Sequence, residues 1–169
     1  MINPIEPEKI YRLMESRVDA QAAIDEVIWV AQRELCIFAK SPAQLAERGF
    51  NRAATVAQLR AMLLPVRTHH IRIALHDTAG MESELPRLLA LLNQFAAQIS
   101  IHRTLGIARE ARDAMVIADD CHFWRRIHED HPRSVLTMHS AADTRPYVER
   151  FAEIWECSEL AVYGGVAGL

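Results

Sequence analysis

The sequence predicts a single α/β domain built on a mixed, largely parallel sheet flanked by helices. Its 169 residues suit one domain. Half of them are hydrophobic and 24% charged, without any low-complexity run, which predicts an ordered chain. The first hundred residues alternate helical and strand-like apolar patterns twice, as right-handed crossover units do.

Pro4 and Pro7 precede a short helical pattern from Glu8 to Met14, so residues 1–18 are expected to form a peripheral helix. The domain proper is placed at residues 19–160. Asp19 is the expected N-cap of a helix over 20–33, with Ala22, Ala23, Val27, Ile28, Val30 and Ala31 at helical spacing. Leu35-Cys36-Ile37-Phe38 is a continuous apolar run closed by Lys40-Ser41-Pro42, which reads as a buried strand. One turn of helix is expected over Gln44–Arg48. A second helix runs from Asn51 to its stop at Pro65, with Val56, Leu59 and Leu63 on its inner side.

His70 to His76 is the next strand, Ser83 to Ala97 an amphipathic helix, and Ile99 to His102 a third strand. Asp119-Asp120-Cys121 then separates Ala114–Ala118 from His122–Arg125, the pattern of a hairpin. Ser134–Met138 is a further strand. Asp143 is expected to cap a closing helix whose inner face carries Tyr147, Val148, Phe151, Ile154 and Trp155. Residues 161–169, which include Gly164-Gly165, are expected to be a flexible tail.

A formal charge of −3 gives no general attraction to nucleic acid or to an anionic membrane. All but Lys9 and Lys40 of the nineteen basic residues are arginine, the side chain suited to bidentate phosphate contacts, although a coding bias yields the same ratio. Cys36, Cys121 and Cys157 are few and far apart, so neither a disulfide framework nor a metal site is indicated. The charges spread through residues 1–16 fit neither a signal peptide nor a membrane span, which makes the cytoplasm the expected location.

The element order, together with the ending Phe151-Ala-Glu-Ile-Trp155-Glu-Cys-Ser158, resembles one half of the phospholipase D superfamily fold over residues 20–158. Enzymes of that family carry H-x-K-x-x-x-x-D at the hairpin and bring two copies together. One His attacks phosphorus, the other protonates the leaving group, and the Lys pair holds phosphate. Here the hairpin reads Arg112-Asp-Ala114-Met-Val-Ile-Ala-Asp119. Aligning the aspartates puts Arg112 at the His position and Ala114 at the Lys position. A guanidinium stays protonated and offers no lone pair, so no catalytic residue is expected in this motif.

The resemblance implies a degenerate, non-catalytic module in an accessory role, through protein contacts or recognition of a phosphorylated ligand. It is similar to bacterial domains of unknown function found attached to acetyltransferase domains, which makes such a domain an expected partner. The phosphate-binding candidates are Arg109, Arg112, Asp119 and His122; Asp119 also reads as a solvated turn former. A homodimer that buries a hairpin edge with Phe123 and Trp124 is the other expected association.

The rival reading is a phosphodiesterase or nuclease that uses a displaced set. His70, Arg72 and Asp77 read H-x-R-x-x-x-x-D, and His122 with Asp119 is a second pairing. Its requirement is convergence of these groups in one cleft. A purely structural homo-oligomer is the third reading. His128-Glu-Asp-His131 is expected to be an exposed loop, with no metal and no cofactor.

Overall fold

A computed structural model describes residues 4–164. Among the described residues eight strands form one sheet, in the order β1-β7-β6-β5-β2-β3-β4-β8. They are β1 (Ile10–Met14), β2 (Glu34–Ala39), β3 (His70–Leu75), β4 (Ile99–Thr104), β5 (Ala114–Ala118), β6 (His122–Arg126), β7 (Ser134–Met138) and β8 (Ser158–Val162). The two crossovers make β2-β3 and β3-β4 parallel, and antiparallel pairs extend the sheet on both sides.

The helices are α1 (Arg17–Val30), α2 (Pro42–Glu47), α3 (Ala53–Leu63), α4 (Met81–Glu84), α5 (Pro86–Gln94) and α6 (Ala141–Glu156). The alternation of strand side chains divides the core between the two faces of the sheet. Leu35, Ile37 and Ala39 join Ile24, Val27, Leu59, Leu88 and Trp124 on the face covered by α1, α3 and α5. Cys36 and Phe38 join Met115, Ile117, Phe123, Phe151 and Ile154 beneath α6.

Three helices start on one device. Ser16, Ser41 and Ser140 accept the backbone N–H of the residue three positions on, at 3.0, 3.3 and 3.2 Å. The sequence reads S-x-x-D or S-x-x-Q at each, the spacing of a capping box. The caps are thus Ser16 and Ser140; Asp19 and Asp143 lie in the first helical turn.

Other boundaries differ from the sequence reading. Within residues 1–18, expected to be a peripheral helix, Ile10–Met14 is strand β1, because the free edge of β7 offers backbone partners in register from Ile10↔Met138 to Met14↔Ser134, while a one- or two-turn helix is marginal. The expected helix over 83–97 is split at Leu85, with φ −131 and ψ 46, as the residue before Pro86 is steered out of the helical region. The chain after α6 is not a tail at once: β8 continues to Val162 and covers the edge of β4. The rest of the expected tail, 165–169, lies outside the described residues. Finally, β6 is interior to the sheet and Trp124 is fully buried, so the hairpin offers no edge to a partner; the sheet ends at β1 and β8.

Candidate functional site

The sheet brings the residues singled out in the sequence to two opposite ends. At one end the chain leaves β2 at Lys40, leaves β3 at His76 and Asp77, enters β5 from Arg112, and leaves β6 towards Glu129. The Glu129 side chain is 7% exposed there, 3.7 Å from Arg112 Nη1, 3.6 Å from Lys40 Nζ and 3.4 Å from Gln44 Nε2. Its backbone N–H donates to the Arg112 carbonyl at 2.8 Å, so this loop is tied to the start of β5.

Arg112 is itself exposed, and Ala114 is buried in the core. Between them Asp113 points to the opposite face, where Arg150 of α6 donates two hydrogen bonds to it at 2.8 and 2.6 Å and Arg125 stands at 3.5 Å. Burial works against that carboxylate, but the hydrogen bonds and charge of Arg150, helped by Arg125, hold its pKa below the ordinary value. His76 beside this end is committed to structure. Its Nδ1 accepts from the Thr104 hydroxyl at 2.6 Å and its Nε2 donates to the Ala111 carbonyl at 2.7 Å.

At the other end lies the β5–β6 turn, where Asp119 and Asp120 have φ of 53° and 56°. Asp119 accepts the backbone N–H groups of Gln32, Arg33 and Glu34 at 2.8, 2.8 and 3.0 Å. The aspartate expected to be a solvated turn former instead holds the entry to β2. Asp120 lies close enough to Glu34 that, after burial, it is the main influence raising the Glu34 pKa. Glu34 also meets His70 at 3.2 Å and Arg72 at 3.9 Å. His122 accepts the His139 backbone N–H on Nδ1 at 3.1 Å, which fixes a neutral ring.

The phosphate-binding candidates therefore do not share a site. Arg109, exposed in a 3-10 turn, and Arg112 belong to the first end; Asp119 and His122 belong to the second, roughly 17 Å of strand away. The displaced set separates in the same way: His70 opens β3, whereas exposed Asp77 follows its end and accepts the Ala79 N–H at 2.9 Å. Arg72 is held over the rings of Phe151 and Trp155. Among the described residues no group of three His, Cys, Asp or Glu side chains is placed to hold a metal, and no helix is long and apolar enough to cross a membrane.

Lys40, Gln44 and Glu129 were missed as companions of Arg112. They come from the end of a strand, a short helix and a loop, a spacing without sequence signature.

A family model described as a domain of unknown function, DUF7931, matches residues 16–162. The fold is similar to that of Nuc from Salmonella typhimurium, a phospholipase D family member, at TM-score 0.61 and 13% identity over 91% of this chain and 99% of that one. NucT from Helicobacter pylori gives TM-score 0.61 and 10% identity over 91% and 100%. The archaeal chromatin protein TrmBL2 gives TM-score 0.58 and 14% identity over 95% of this chain and 57% of that one. No curated protein matches the chain. At these identities the likeness shows a phospholipase D-like fold.

Proposed function

We propose that this chain, which belongs to the DUF7931 family of domains of unknown function, keeps a phospholipase D-like fold without its phosphodiester-cleaving chemistry and works by non-covalent recognition. The observation that carries this reading is the pair Arg112 and Ala114 at the two motif positions: the first is a permanent cation turned towards Glu129, the second a buried methyl group. Neither attacks phosphorus nor passes a proton. The role that fits is an accessory module for a phosphorylated ligand or a protein partner, an acetyltransferase domain being one such partner.

The separation of His70 from Asp77 weighs against the first displaced set, since a nucleophile and its orienting acid must meet within hydrogen-bond reach; in the second, Asp119 lies near His122 but its carboxylate is taken up by the N–H groups of Gln32, Arg33 and Glu34. Incubation with bis-p-nitrophenyl phosphate, with and without divalent cations, tests the reading. We expect no turnover above a buffer blank; turnover abolished by His70→Ala or His122→Ala would defeat it. A two-fold dimer remains a proposal, now through β1 or β8 rather than the hairpin, and light scattering reads it as twice the mass of 19.1 kDa.

A further inference from the structure

Beside the Glu129 corner, α1, α2 and β6 enclose a cavity of about 200 Å³ lined by Arg17, Gln21, Gln44, Glu47, Arg48, Trp124, Arg126 and Glu129. Its wall is rich in donors that lack acceptors. Trp124 is fully buried, yet its indole Nε1 has no hydrogen-bond partner; neither does the buried Nε of Arg126. Orphaned buried donors cost about 1–3 kcal/mol each, so proteins seldom keep them unless something outside the chain accepts from them.

The charges point the same way. Arg48 is 8% exposed, and both its guanidinium and that of Arg126 lie against the Trp124 ring, 5.2 and 5.8 Å from its centroid. No carboxylate forms an ion pair with Arg17, Arg48 or Arg126 among the described residues, and Glu129 is already matched by Lys40 and Arg112. Burial, and then repulsion from Arg126, push the Arg48 pKa down to about 10, against the weaker attraction of Glu47 and Glu129. A buried cation without a direct ion pair is costly, and an anion between the two guanidinium groups would relieve both the desolvation and the repulsion.

Strand register adds a further point. Arg126 pairs with Ala114 and Trp124 with Val116, so along β6 the Trp124 and Arg126 side chains fall on the same face of the sheet and both meet the cavity. The cavity is several times the roughly 30 Å³ that one water occupies, enough for a tetrahedral oxyanion with some solvent.

We propose that this cavity is a binding site for a phosphate monoester group, held between Arg48 and Arg126 with Trp124 Nε1 as a neutral donor and Arg17 at the rim. It rests on the reading that the domain recognises without cleaving, and it supplies the site and the ligand class. The two guanidinium groups and the indole N–H present donors only and so favour an anionic acceptor on their side of the cavity, while Glu47 and Glu129, the carboxylates in the lining, bound where that anion can sit.

The test is titration of the intact chain with inorganic phosphate and with glycerol 3-phosphate at constant ionic strength, followed by calorimetry and by tryptophan fluorescence, with sodium chloride as control. The expected result is saturable binding, weakened at least ~10-fold by Arg126→Gln and by Arg48→Met, each of which removes about 1.4 kcal/mol or more, and unchanged by Arg145→Gln on the exposed side of α6. Binding of glycerol 3-phosphate alone would assign the site to an esterified ligand, and binding of both to the phosphate group itself. A chloride titration that reproduces the signal, no saturation by ~10 mM, or full binding by folded Arg126→Gln would overturn the proposal. These outcomes leave the question of cleavage untouched, because bis-p-nitrophenyl phosphate turnover is read separately.

Discussion

Asp119 holds Arg33 across 86 positions of sequence: its Oδ1 accepts the Arg33 backbone N–H at 2.8 Å, and the same carboxylate also takes the N–H groups of Gln32 and Glu34. Three donors at the entrance to the central strand β2 thus depend on one side chain from the β5–β6 turn. Replacing it by alanine leaves them without that acceptor. Asp119→Ala should cost about 2–3 kcal/mol and Asp119→Asn clearly less, since an amide oxygen still accepts. Denaturant titration of both variants checks this; equal losses would show that the negative charge, rather than an accepting oxygen, holds the strand entry, since asparagine keeps the left-handed turn at φ 53°.

The Asp113–Arg150 pair links the start of β5 to α6. The Asp113 side chain is 2% exposed and that of Arg150 39%, so removing the acid strands a partly solvated cation, whereas removing the arginine strands a buried acid. Asp113→Asn should cost about 2 kcal/mol and Arg150→Met about 3 kcal/mol, near the lower end for broken buried pairs. The folded pKa of Asp113 is depressed, so its contribution is present above the ordinary value of 3.8 and is lost as pH falls through that value towards the folded one. The acid limb of a stability-against-pH curve should therefore flatten in Asp113→Asn.

His122 gives a pH effect in a different window. Burial, then the neighbouring His139, lower its pKa from 6.5, with Asp119 opposing them, and Nδ1 must stay unprotonated to accept the His139 N–H. The unfolded state binds this proton first, so stability is full above 6.5 and declines as pH falls below it towards the lower folded pKa. Urea midpoints taken from about pH 8 to about pH 5 should fall in the native chain and fall less in His122→Gln; parallel curves would refute the assignment.

The closing helix separates two aromatic residues that the sequence treats alike. Phe151 is 1% exposed and lies in the core beneath α6, whereas Trp155 is half-buried and stacks on His102 with centroids 3.6 Å apart. Phe151→Ala should cost about 3–5 kcal/mol and Trp155→Ala about 1–2 kcal/mol, read as the difference in denaturant midpoint. A reversed order would mean that α6 is rotated about its axis.

Local pattern was enough to locate most elements. A continuous apolar run gave β2, and helical spacing gave α1 and α3, because these signals depend on the burial of side chains along one segment. The loss of the motif residues was also legible, since Arg112 and Ala114 are incapable of the chemistry wherever they sit. The serine caps are legible too, in the S-x-x-D spacing, although the acidic residue at the third helical position imitates a cap by composition.

What a stretch of chain does at its ends depended on partners far away in sequence. Residues 10–14 became a strand because β7 had a free edge, and residues 158–162 became one because β4 had another. The same long-range pairing sent Arg112 and Asp119, seven positions apart, to opposite ends of β5, and gathered Arg48, Trp124 and Arg126 around one cavity. A sequence states which groups are charged, apolar or able to donate. Whether two of them meet is fixed by sheet order and register, which arise from backbone hydrogen bonds between segments remote along the chain.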